Sequence, residues 1–171
     1  MLTLGIDPGT ATTGYGIIAE RRDRLYFVHH GIITTTKEDS SQERLRRIYT
    51  ELKAIIKEFK PGTIAIEKLF FGNNTKTALS VGQARGMSLL AAAEAKVPTY
   101  EYTPLEVKMA VTGYGKADKK QIQQMVKTLL CLKEIPKPDD AADALAIAIC
   151  HAHSYRLTRY SQPQVQYDLA S

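Results

Sequence analysis

Leu2-Thr3-Leu4-Gly5-Ile6-Asp7-Pro8-Gly9-Thr10 opens the chain with an apolar run that ends on a carboxylate and breaks at once into a Pro-Gly turn. The run reads as a buried strand and Pro8-Gly9 as its stop. A carboxylate at the end of a buried strand loses hydration, which is costly unless a positive group compensates. The arrangement recurs in Thr63-Ile64-Ala65-Ile66-Glu67. Two further acids, Asp140 and Asp143, open the small-residue stretch Asp140-Ala141-Ala142-Asp143-Ala144-Leu145-Ala146. Four acids placed this way point to a shared divalent cation.

The elements between these acids predict how they meet. Leu2–Asp7, Gly14–Ala19 and Leu25–Thr35 are three β-rich runs joined by short turns, the pattern of an antiparallel meander. Ser40-Ser41-Gln42-Glu43 forms a capping box, and Leu45, Ile48, Tyr49, Leu52, Ile55, Ile56 and Phe59 follow it as the stripe of an amphipathic helix. Pro61-Gly62 ends that helix. The strand Thr63–Glu67 then implies a parallel crossover, which sets Glu67 beside Asp7. A long helix capped by Asn73 or Asn74 is expected to reach about Lys96. Its second half, Met87 to Ala95, has no polar face, so it must be covered on two sides. A symmetric dimer contact and cover by the last helices of the same chain both satisfy that requirement. Val97–Tyr102 reads as a fifth strand. Helices are expected at about Pro104–Val111, Ala117–Leu132 and Asp139–His153, and no useful periodicity follows Tyr155. The expectation is an α/β domain over 1–154, a mixed five-stranded sheet flanked by helices, with a flexible tail over 155–171.

No stretch approaches the roughly 20 apolar residues of a membrane span. Cys131 and Cys150 are too few for a disulfide framework, so both are expected to be small buried hydrophobes and a cytoplasmic location is expected. The net charge of +5 is unevenly spread: residues 103–138 carry seven lysines against three acids. Carboxylates that seek a metal, beside a lysine-rich face, suit a polyphosphate chain as substrate. On the helix from Ala117, the apolar stripe is Ile122, Met125, Val126 and Leu129, while Lys116, Lys119, Lys120, Gln123 and Lys127 are expected on the opposite side.

Asp140 and Asp143 are three apart on one helix face, in a first turn whose exposed amides favour negative charge. Oxygen-only ligands, with no Cys/His spacing, select Mg²⁺ or Mn²⁺ over zinc. Two such ions can activate water and stabilise the leaving oxygen of a phosphodiester. His151 and His153 lie two to three turns beyond Asp143 and read as ordinary histidines at a helix end.

The combination Gly5-Ile6-Asp7-Pro8-Gly9-Thr10, Gly14-Tyr15-Gly16, Ile66-Glu67, Gly82-Gln83-Ala84-Arg85-Gly86 and Asp140-Ala141-Ala142-Asp143-Ala144-Leu145-Ala146 resembles the RuvC family of bacterial crossover-junction endonucleases. The resemblance spans about Leu2 to His153. It implies an RNase H-like fold and a homodimer that resolves four-way (Holliday) DNA junctions by paired symmetric cuts during recombination and repair. It implies Mg²⁺ as cofactor, replaceable by Mn²⁺, with two ions per site, and RuvA and RuvB as partners. Asp7, Glu67, Asp140 and Asp143 match the family's catalytic acids. Phe70 matches an aromatic that stacks on an unpaired base, although Phe70-Phe71 could also be a core pair. Lys108 and Lys119 match lysines that contact DNA near the scissile phosphate. Lys68 departs from the pattern, standing where glutamine is expected. Strand alternation should turn it away from Glu67.

Three other readings remain at this point, and the intact Asp7, Glu67, Asp140 and Asp143 argue against one of them, a non-catalytic junction-binding scaffold. The Gly-x-Asp-x-Gly-Thr start is similar to the phosphate loop of actin-like ATPases, which need a second domain that 171 residues cannot hold. An RNase H-like nuclease of other specificity, acting on RNA for example, would use the same acids.

Overall fold

A computed structural model describes residues 1–68 and 75–161. Its five strands are β1 (Leu2–Asp7), β2 (Thr12–Arg21), β3 (Arg24–Thr34), β4 (Thr63–Glu67) and β5 (Thr99–Tyr102). They form one sheet in the order β3-β2-β1-β4-β5. β1 pairs antiparallel with β2 and parallel with β4, as the meander and the crossover predict. β2 pairs antiparallel with β3, and β4 parallel with β5.

The helices are α1 (Ser41–Phe59), α2 (Thr75–Glu94), α3 (Pro104–Thr112), α4 (Lys119–Leu129) and α5 (Asp139–Ser161). Ser40 and Glu43 make the expected reciprocal cap of α1, and Lys60 in a left-handed conformation ends it. Two more capping boxes, Thr103/Glu106 and Asp118/Gln121, start α3 and α4.

Strand alternation divides the interior into two cores. Leu4, Ile6, Ile17, Ile64 and Ile66 pack with Ile48, Leu52 and Ile56 of α1 and with Ala84, Ala91 and Ala92 of α2. Ala65 and Ile18 pack with Leu145, Ile147 and Ile149 of α5, which Val107, Val111 and Val126 of α3 and α4 cover from outside. The α5 side of the sheet is floored with small residues. A Cβ at Gly5 would overlap the Ala144 carbonyl oxygen, and one at Gly14 would overlap that of Asp140. The α5 backbone therefore lies directly on β1 and β2.

Several expectations change. The last helices cover the opposite side of the sheet from α2, so they do not supply its second cover. Leu79 and Leu90 of α2 remain 69% and 45% exposed. α4 ends at Leu129 rather than Leu132, and Cys131 just beyond it, at φ 52°, is exposed rather than buried. Cys150 is buried as expected. Gln123, on the lysine-bearing side of α4, is buried, and its carboxamide donates to Asp139. α5 does not stop near His153 but continues to Ser161, into the segment expected to be a tail. His151 is consequently no helix-end residue. Its ring is fully buried among Tyr100, Tyr102 and Tyr155, with Nδ1 2.8 Å from the Tyr102 hydroxyl. Burial lowers its pKa to about 4, so it is neutral at ordinary pH. Among the described residues, no helix is long and apolar enough to cross a membrane.

Candidate active site

β1 and β4 carry their acids to the same end of the sheet. Ile6 pairs with Ile66, so the next residues, Asp7 and Glu67, end neighbouring strands. Both share the alternation face of Gly5 and Ala65, the face on which α5 lies. Asp7 also pairs with Gly14, against which the start of α5 packs at Asp140. The small residues that admit the α5 backbone thus also set its first turn over the end of β1.

Asp7, Asp140 and Asp143 each offer a carboxylate oxygen, and these atoms lie within 4.8 Å of one another. Glu67 is not part of that tight group but lines a cleft of about 220 Å³ with Asp143, Lys108 and Lys119. All four acids are partly buried. Burial, reinforced by Glu67, Asp143 and Asp140, raises the Asp7 pKa from 3.8 to about 7, while Lys119 opposes the shift. Burial and then Asp143 raise Glu67 as well. Asp143 is raised by burial, against the hydrogen bond and charge of Lys119. Burial first, and neighbouring carboxylates second, push Asp7, Glu67 and Asp143 toward protonation, so the cluster is short of positive charge. The donor set, carboxylate oxygens only, fits a hard divalent cation.

The lysines come to the same cleft from α3 and α4. Lys119 Nζ lies 3.1 Å from Asp143 Oδ2 and 3.4 Å from Asp139 Oδ2. Burial works against the Lys119 charge, but the hydrogen bonds and charges of Asp143 and Asp139 outweigh it and raise its pKa. Asp139 and Gln123 are the neighbours that sequence reading passed over. A usable signal was there: Lys119 and Gln123 are four apart on α4, and Asp139 and Asp143 four apart on α5, so each pair shares a face.

Lys68 is exposed, its amide donates to the Tyr102 carbonyl, and its charge acts on Glu106. β4 ends at Glu67, so Lys68 lies just past the strand, where alternation no longer sets its direction. Arg85 of the Gly82–Gly86 motif pairs with Glu101, tying α2 to β5. Phe70 lies outside the described residues.

The family model described as "Crossover junction endodeoxyribonuclease RuvC" matches residues 3–151. The curated RuvC of Desulfitobacterium hafniense is 61% identical over 157 residues, covering 92% of this chain and 95% of that protein. The T. thermophilus RuvC, solved in complex with a Holliday junction substrate, superposes with a TM-score of 0.89 at 38% identity, covering 92% and 96% of the two chains. The yeast mitochondrial Holliday junction resolvase Ydc2 superposes with a TM-score of 0.66 at 16% identity, a likeness of fold alone. The acids that crowd at the ends of β1 and α5 all fall inside the matched span, and the chain belongs to the RuvC family of crossover junction endodeoxyribonucleases.

Proposed function

We infer that the chain resolves four-way DNA junctions in recombination and repair, hydrolysing phosphodiester bonds with divalent cations held by Asp7, Glu67, Asp140 and Asp143. The observation that carries the reading is the convergence of Asp7, Asp140 and Asp143 from opposite ends of the chain to within 4.8 Å. Mg²⁺ is the expected ion, with Mn²⁺ as substitute and two ions per site. When bound, such ions lower the pKa of the attacking water and offset charge on the leaving oxygen.

The rest of the chemistry belongs to the protein. The strand ends hold Asp7 and Glu67, and the first two turns of α5 hold Asp140 and Asp143, so the acids need little reorganisation on loading. Lys108 and Lys119 supply positive charge on the cleft wall, where they can hold the scissile phosphate and offset its charge. Phe70, in the segment between β4 and α2, is proposed from the sequence to stack on an unpaired base, an interaction worth about 1–3 kcal/mol per base.

A two-fold substrate cut twice calls for two sites related by two-fold symmetry. We assign the dimer contact to α2, whose buried side rests on the first core. Leu79, Gln83, Gly86 and Leu90 recur on its other side at helical spacing; Leu79, Gln83 and Leu90 are exposed, and a Cβ added at Gly86 would meet open space. RuvA and RuvB are the proposed partners, and the cytoplasm the proposed location. A synthetic four-way junction incubated with and without Mg²⁺ tests the reading. Paired nicks that ligase seals are expected only with the metal. Equal cutting of plain duplex or of RNA would instead support a nuclease of other specificity.

A further inference from the structure

Lys119 sits between two carboxylates of α5, and one of them, Asp139, lies outside the tight group of Asp7, Asp140 and Asp143. Asp139 Oδ2 lies 3.4 Å from the ammonium, and Asp139 Oδ1 accepts from Gln123 Nε2 at 2.9 Å. Gln123 is buried, so the carboxamide that orients Asp139 is itself fixed by packing. The contact is built from two facing pairs, Lys119/Gln123 on α4 and Asp139/Asp143 on α5.

An ammonium 3.1 Å from Asp143 occupies an acid that a divalent cation needs. Without Asp139, the carboxylates it acts on would all belong to the acid cluster, Asp143 in contact and Asp7 at longer range, and it would compete more strongly for them. Shared with Asp139, it has a second anion outside the Asp7, Asp140 and Asp143 group to which it can withdraw. Asp139 is more exposed than Asp143, so a Lys119 ammonium that leans toward it leaves the Asp143 carboxylate freer for a cation.

We propose that Asp139, oriented by Gln123, is a positioning residue that reduces the competition of Lys119 for Asp143 once a cation is bound. The inference rests on the reading of the acid cluster as a cation site.

Mn²⁺ binding to the full chain without DNA, followed by the electron paramagnetic resonance of free Mn²⁺, tests it in a double-mutant cycle. Asp139→Asn is expected to weaken binding about two- to fivefold, the scale of an exposed ion pair. Asp139→Glu should restore it. In a Lys119→Met background the Asp139→Asn change should have almost no effect. In junction cleavage, Asp139→Asn should raise the Mg²⁺ concentration for half-maximal rate more than it lowers the maximal rate. Gln123→Met should shift Mn²⁺ binding in the same direction; should it not fold, the exposed Asp139 variants still decide the matter.

Unchanged Mn²⁺ affinity in Asp139→Asn would overturn the positioning role. So would an equal loss with and without Lys119, because that is the general effect of removing a negative charge. If the wild-type chain binds no Mn²⁺, the cation-site reading fails and this one with it. If it binds and Asp139→Asn binds equally, only the positioning role fails.

Discussion

Asp7 is buried beside Glu67, Asp140 and Asp143, and two expectations follow from that. Asp7→Asn keeps the shape of the side chain but loses the charge that would hold a cation. Cleavage of a synthetic junction should fall by several orders of magnitude, while gel-shift affinity for the junction should change little, since phosphate contacts by lysines dominate it. Near-normal cleavage in saturating Mg²⁺ would remove Asp7 from the site. The second expectation concerns stability without metal. Unfolded, Asp7 releases its proton near 3.8; folded, it does so at about 7. Between those values the folded chain binds the extra proton, so the contribution of Asp7 to stability declines as pH rises from about 4 to about 7. His151 contributes with the opposite sign, because its folded value of about 4 lies below the usual 6.5, so its contribution grows as pH rises through that interval. The difference between wild type and Asp7→Asn isolates Asp7. In chelator at pH 8 the variant should be the more stable by on the order of 2–4 kcal/mol, and the gap should close by pH 4. Thermal melts across that range measure it. A constant gap would place the perturbation elsewhere.

At the scale of elements, α2 and α5 illustrate what was legible in the sequence. The β1 run, the capping box at Ser40 and the stripe of α1 all carry local signals, and each of these elements forms where its signal stands. α2 and α5 are short of such signals because small residues surround them on nearly every side, leaving no polar face to orient them. Only the tertiary arrangement reveals that the sheet separates them. The acids were legible because buried strand ends and a helix start advertise carboxylates. Their supports Asp139 and Gln123 were less so, since their meaning comes from the meeting of two helices distant in sequence. The end of α5 was missed because Tyr155 and His151 are tied to Tyr100, a contact that periodicity cannot register. For α2 the exposed stripe gives a direct test. Leu90→Glu should leave the monomer fold and melting temperature nearly intact and shift sedimentation from dimer to monomer. Ala92→Glu is no probe of the interface: Ala92 is 1% exposed, and a charge there should cost about 3 kcal/mol or more of fold stability. A Leu90→Glu protein that still sediments as a dimer would move the contact off this helix.

For the whole molecule, the cation is expected to govern cutting more than holding. Ca²⁺ should support junction binding with little cleavage, because its longer and looser coordination positions water poorly, whereas Mn²⁺ should support both. Binding and single-turnover cleavage measured in parallel separate the two. Cleavage in chelator would rule out the mechanism. The sheet also keeps α1 and α2 on one side and the acid-bearing α5, with α3 and α4, on the other. Damage to the acids therefore need not reach the surface of α2. A tethered pair of one intact and one Asp7→Asn copy should assemble normally and cut one strand only. It would act as a junction nickase, whose interrupted product could be captured and its strand polarity read directly on a denaturing gel.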